Sequence, residues 1–169
     1  IAKTNKPMIM STGMSNLNEI DMAYKTAKSN GCKEIVLLYC VSNYPSKLSD
    51  FNINNIDILK KRYGCTIGFS DHSIDNSIGA AAVAAGAEII EKHIALQNQN
   101  KGFDVKFSLK GKQVKEYIDE LNKISLLMGK KFFYRSKSEN KSSEHRRSIY
   151  AIQDIKKNEK FTKFNLKII

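Results

Sequence analysis

The chain has 169 residues, 41% of them hydrophobic and 27% charged, which suffices for a domain with a real core and excludes disorder throughout. Its 28 Lys and Arg against 17 Asp and Glu leave a formal charge of +11, a balance that draws nucleic acid, membrane surfaces or small anions alike. No run approaches the ~20 apolar residues of a membrane span and the N-terminus has no signal-like apolar core, so the expected location is cytoplasmic, with no membrane partner.

In chain order, Pro7 precedes the apolar run Met8-Ile9-Met10 and then Ser11-Thr12-Gly13. This predicts a short strand ending in small residues that leave backbone amides accessible. A helix follows, with Ser15 or Asn16 as N-cap, Glu19 as capping-box partner, a stripe of Ile20, Ala23, Tyr24 and Ala27, and Asn30-Gly31 as the stop. Residues 35–40 form a continuous aliphatic run without alternation, the mark of a strand covered on both faces. It ends in the loop Val41-Ser42-Asn43-Tyr44-Pro45. A second helix is expected over 52–63, closed by Gly64. The strand 66–69 runs into Ser70-Asp71-His72, and a small-residue helix over 76–85 ends at Gly86. A strand over 88–94, a loop through Asp104 and a long amphipathic helix over 112–128, closed by Gly129, complete the series.

Strand, polar loop and helix thus recur four times, which implies a parallel sheet under helices. An open doubly wound sheet and a barrel both satisfy this pattern. Every strand here ends in polar residues, which favours the barrel, where all C-terminal strand ends meet at one site. A closed (β/α)₈ barrel takes eight such units and this chain supplies four, so 1–129 is expected to be the second half of a TIM barrel. Residues 130–147 are strongly basic, with Phe132, Phe133 and Tyr134 clustered rather than interleaved, which reads as a solvated linker and not a nucleic-acid tract. From 148 to 169 the character changes to short strands with turn chemistry, as at the opening of a small β-rich domain.

The chemistry concentrates in two echoing stretches, Gly68-Phe69-Ser70-Asp71-His72 and Glu88-Ile89-Ile90-Glu91-Lys92-His93. Strand alternation puts Ser70 with His72, and Glu91 with His93, on one side of their strands. If that side is the barrel interior, two imidazoles converge. Two neutral imidazoles with substrate or water oxygens suit Mn²⁺, Mg²⁺ or Co²⁺, whereas hydrogen bonding to a neighbouring loop is the plainer role of either ring. Ser11 and Ser70 offer hydroxyls beside a helix start, where phosphate binds well, or simply cap a turn. Tyr44 can meet a substrate hydroxyl or pack as a loop aromatic. Asp104 alone reads as a turn former. Glu91 fits a proton-transfer group, an orienter of its neighbours or an ion-pair partner. His145 lies in the charged tract and receives no role. Cys32, Cys40 and Cys65 lack Cys-x-x-Cys spacing and are expected to be buried thiols.

Taken together, Lys6-Pro7 with Ser11-Thr12-Gly13-Met14, Tyr44-Pro45, Gly68-Phe69-Ser70-Asp71-His72-Ser73, Glu91-Lys92-His93, Gly102-Phe103-Asp104 with Phe107-Ser108-Leu109, and Arg147-Ser148-Ile149 leading into Asp154-Ile155-Lys156-Lys157 resemble the sialic acid synthase family. These are phosphoenolpyruvate-dependent synthases of nine-carbon keto acids. The resemblance implies a (β/α)₈ barrel followed by a small antifreeze-like (SAF) domain. It makes His72 and His93 holders of a divalent metal, puts Ser11 and Ser70 on phosphoenolpyruvate, and puts Tyr44 and Asp104 on an N-acetylated sugar. Many members have Asn where Ser42 stands. Phe103 and the run Val105-Lys106-Phe107-Ser108-Leu109 depart from the sialic acid branch, and the Lys-Phe-Ser-Leu form with Ser73 looks closer to the pseudaminic acid synthases. Family members are homodimers whose SAF domains cap the partner's site, and on this resemblance the chain is a fragment expected to be inactive alone. The competing readings are another metal-dependent barrel aldolase or hydrolase, and a basic nucleic-acid-binding module.

Overall fold

The computed structural model describes residues 1–44 and 46–169; Pro45 of the expected Tyr44-Pro45 pair lies outside them. The chain falls into two compact units, Ile1–Gly129 and Lys130–Ile169. In the first, strands β1 (Met8–Ser11), β2 (Ile35–Cys40), β3 (Thr66–Asp71) and β4 (Ile89–Lys92) form one all-parallel sheet in the order β1-β2-β3-β4. Helices α1 (Leu17–Ser29), α2 (Asn55–Tyr63) and α3 (Asn76–Ala84) make the crossovers, and α4 (Lys112–Met128) closes the unit.

This strand order settles the choice left open by the pattern. Parallel crossovers are right-handed, so strands that follow one another in sequence order throw every helix onto the same face. A doubly wound sheet needs a reversal of order, and these four strands have none.

The core lies between that face and the helices. Ile35, Leu37, Ile67 and Phe69 of the sheet meet Ile20, Ala27, Ile56, Leu59, Ile78 and Ala82 of α1 to α3, with Met8, Met10, Tyr39 and Ile90 packed at the edge of the cluster. Residues of the other parity, among them Ser11, Leu38, Cys40, Gly68, Ser70 and Glu91, occupy the opposite face in register from strand to strand. Gly68 is required there, since a Cβ would stand 2.6 Å from the Ile89 carbonyl oxygen. The strands therefore approach closely just below Ser70.

Local boundaries follow the expected chemistry at several points. Asn16 caps α1 and Glu19 returns to the Asn16 amide at 2.8 Å, completing the capping box. Gly64 closes α2 with φ of 58°. Three expectations are corrected. Helix α2 begins at Asn55 rather than at 52, because Asn52 turns to φ of 37° after a short 3₁₀ turn at Leu48–Asp50. The strand expected over 88–94 breaks at His93, and β5 (Ile94–Ala95) pairs instead with β6 (Leu109–Lys110), beyond the Asp104 loop. Of the three cysteines, all free, Cys65 is only half-buried.

In the second unit, the basic stretch expected to be a linker carries α5 (Lys137–Ser142), started by a Ser136–Glu139 capping box. Strands β7 (Ile149–Ala151) and β8 (Leu166–Ile168) then pair antiparallel. Among the described residues no helix is long and apolar enough to cross a membrane.

Candidate active site

The C-terminal ends of β3 and β4 lie side by side because Ser70 is registered with Glu91 and Asp71 with Lys92. On the helix-free face the Ser70 hydroxyl donates to Glu91 Oε1 at 2.6 Å, and Ser70 Oγ lies 3.2 Å from His72 Nε2. The His72 and His93 rings stand 5.2 Å apart, centroid to centroid. Ser70, His72, Glu91, Lys92 and His93 line a cavity of about 180 Å³.

The neighbouring loops complete the rim. The Tyr44 ring packs 4.9 Å from His72 and 5.0 Å from Phe107. Burial raises the Tyr44 phenol above its ordinary value, so it stays a neutral hydroxyl at neutral pH. An Asp104 carboxylate oxygen comes within 4.0 Å of His93 Nδ1. Ser11 reaches the same face through Cys40, with Oγ to Sγ at 3.0 Å, and Ser42 lies 3.6 Å on the other side of that sulfur. All eight candidate residues, Ser11, Ser42, Tyr44, Ser70, His72, Glu91, His93 and Asp104, thus belong to one end of the sheet. One expected feature is absent. The amide of Thr12 does not stay open after β1, since both its N–H and its hydroxyl donate to the Leu38 carbonyl. A wider recess of about 500 Å³ lies between the loops after β1 and β2, lined by Thr12, Asn16, Ser42, Asn43 and Asn55 among others.

The tautomer of His72 bears on cation binding. Its Nδ1 lies 3.3 Å from the Val41 carbonyl, which can only accept, so this contact assigns the proton to Nδ1. In the neutral ring Nε2 then carries a lone pair. Ser70 has a single proton, committed to Glu91, and does not satisfy that lone pair. Nε2 therefore keeps its lone pair, the form an imidazole needs to meet a cation, and the Val41 carbonyl orients the ring. Among the described residues no cluster of three or more His, Cys, Asp or Glu side chains has the arrangement of a metal centre. What these strand ends do bring together is two imidazoles, those of His72 and His93.

Two further groups escaped the sequence reading. Cys40 sits between Ser11 and Ser42 and is registered with Ser70; strand parity alone would have found it. The second is on the helix side of the same strand ends. Asp71, completely buried, accepts from Lys92 at 2.9 Å and from Tyr117 of α4 at 2.7 Å. Burial pulls the Lys92 ammonium below its ordinary value, although Asp71 opposes this. Burial, then the bond to Asp71, drives the Tyr117 phenol well above its own.

Known proteins resemble the chain in sequence and in fold. Residues 1–132 match the model of the NeuB family. The chain is 40% identical over 169 residues to N,N'-diacetyllegionaminic acid synthase of Campylobacter jejuni, covering 98% of this chain and 51% of that protein. It is 34% identical over 169 residues to a pseudaminic acid synthase of the same species, covering all of this chain and 49% of that protein. The crystal structure of the N-acetylneuraminic acid (sialic acid) synthetase of Leptospira borgpetersenii, in complex with citrate, superimposes with a TM-score of 0.78 at 35% identity, over 86% of this chain and 50% of that one. The chain spans about half the length of the curated relatives it matches. With a family match over more than half its length and relatives above 30% identity across it, the chain belongs to the NeuB family.

Proposed function

We propose that the complete protein is a nonulosonic acid synthase, which condenses phosphoenolpyruvate with an N-acetylated hexose to give a nine-carbon keto acid and phosphate. The observation that carries this reading is the pairing of His72 and His93 above the Ser70–Glu91 hydrogen bond, in a chain whose relatives are named for making three such acids. The hexose would be N-acetylmannosamine or a 2,4-diacetamido-trideoxyhexose.

In this reaction C3 of phosphoenolpyruvate bonds to the aldehyde carbon of the open-chain sugar, water adds to C2, and phosphate leaves with cleavage of its C–O bond. A divalent cation, Mn²⁺, Mg²⁺ or Co²⁺, would be held by His72 and His93 and would supply Lewis-acid polarisation of the aldehyde oxygen. Ser11 would donate to the anionic groups of phosphoenolpyruvate, and Ser70 would do so by turning its hydroxyl from Glu91 to the bound substrate, with Ser42 at the edge of the same row. Tyr44, neutral and beside His72, and Asp104, beside His93, would bind sugar hydroxyls. Glu91 accepts the Ser70 hydrogen bond and would take the proton released as water adds to C2.

The same reading assigns β7 and β8 to the opening of an SAF domain that caps the partner's site in a homodimer. On the same reading the protein would work in the cytoplasm. The test is incubation of the complete protein with phosphoenolpyruvate, Mn²⁺ and each candidate sugar, reading phosphate release and the mass of the product. A nine-carbon acid is expected. Turnover of a sugar without phosphoenolpyruvate would replace this reading with an aldolase or hydrolase.

A further inference from the structure

The two faces of β3 and β4 divide their labour residue by residue. Ser70, His72, Glu91 and His93 face the site; Asp71 and Lys92, between them in sequence, face the helices. Asp71 is fully buried and the Lys92 side chain is 7% exposed, yet every hydrogen-bonding position of the carboxylate is used. Oδ1 accepts from the amide of Ser73 at 2.9 Å and its hydroxyl at 2.6 Å. Oδ2 accepts from Tyr117 at 2.7 Å and from Lys92 at 2.9 Å. Lys92 continues past Asp71 to the Ser73 carbonyl. One carboxylate thereby joins β3, β4, the turn into α3 and helix α4.

A buried ion pair is a weak source of stability, because the cost of desolvating both charges offsets most of their attraction. Apolar side chains of similar volume would hold α4 against the sheet as well. What apolar packing lacks is direction: the Asp71–Lys92 contact fixes the level of β3 against β4 at the last registered pair before both histidines. The Ser73 bonds fix the chain on the far side of His72.

We propose that Asp71, Lys92 and Tyr117 are positioning residues that hold the His72 and His93 rings at the separation and orientation required for a shared divalent cation. This rests on the cation-binding reading of the two histidines given above. The Asp71 carboxylate, Lys92 ammonium and Tyr117 phenol meet one another on the helix side and act through the strand ends, although Lys92 also contributes to the lining of the cavity.

The test uses the complete protein with Asp71→Leu/Lys92→Met together, which removes both charges and leaves apolar volume, and separately with Tyr117→Phe, which removes one hydroxyl. Three quantities are read: thermal unfolding without metal, Mn²⁺ affinity by calorimetric titration, and the imidazole ¹H–¹⁵N signals of His72 and His93, with His145 as internal reference. The double variant should fold cooperatively, bind Mn²⁺ at least about tenfold more weakly, and show displaced His72 and His93 signals with His145 unmoved. Tyr117→Phe should shift the same signals and weaken binding by a smaller factor, and it decides the matter if the double variant does not fold. Parental Mn²⁺ affinity and unmoved histidine signals in a folded variant would overturn the proposal, leaving the three residues a structural role alone. If the parent takes up no Mn²⁺, the cation reading itself fails, and unmoved histidine signals would still sink the positioning role.

Discussion

A Cβ placed on Gly79 would stand 2.7 Å from Cζ of Tyr117, so helix α3 has a notch through which the phenol passes to Asp71. Gly79→Ala fills the notch. It should destabilise the first unit by about 1–3 kcal/mol through overpacking, despite the better helix propensity of Ala. Urea unfolding of parent and variant measures this; a gain in stability would mean that the phenol moves aside freely.

Asn16 accepts from the amides of Asn18 and Glu19 at 2.9 and 3.1 Å, satisfying two donors at the start of α1. Asn16→Ala should cost about 1 kcal/mol, whereas the neighbouring Asn18→Ala should be near neutral. Equal losses in denaturant midpoint would show that the cap contributes nothing particular.

Asp21 accepts from Arg62 Nε at 2.9 Å and from Tyr63 at 2.7 Å, and these bonds hold its carboxyl well below the usual carboxylate range. Because the folded-state value lies below the unfolded one, the stabilisation is complete above the ordinary value of about 4 and is lost as pH falls through the folded-state value. Asp21→Asn should therefore be less stable than the parent at pH 7, with the gap narrowing in strong acid and in high salt. Unfolding midpoints across pH check the sign.

Tyr44 packs against His72 and Phe107 with its hydroxyl held neutral. In the complete protein Tyr44→Phe should raise KM for the sugar roughly two- to tenfold, the worth of one hydrogen bond, with KM for phosphoenolpyruvate unchanged. His72→Ala or His93→Ala should instead abolish cation-dependent turnover. The chain of residues 1–169 alone should show no turnover, since its sheet supplies four of the eight strands that close a barrel. Phosphate release from phosphoenolpyruvate reads all three.

The sequence carried the parallel architecture because runs such as 35–40 have no alternation and each is followed by a capped helical stripe. It carried the pairing of Ser70 with His72 and of Glu91 with His93 because strand parity is local. It did not show which strands are neighbours; only the order β1-β2-β3-β4 separates barrel from doubly wound sheet. Nor did it show the Asp71–Lys92–Tyr117 contact, which joins residues 21 and 46 positions from Asp71, the latter on a helix whose apolar stripe hides one polar atom. The break at His93 was hidden because the bonds that cause it, between β5 and β6, bridge a loop. Helix α5 was signalled by Ser136 and Glu139, and the charge of the stretch masked it.

The alternation at the ends of β3 and β4 also bears on how the chain finds its fold. A slip of one residue in either strand would turn Asp71 or Lys92 toward the site and bury a histidine or Glu91 under the helices, with no partner for the stranded charge. Sliding by two residues would restore the facing but pull Asp71 out of reach of Lys92. The Asp71–Lys92 pair thus makes a misregistered β3–β4 sheet costly as well as tying the native one together.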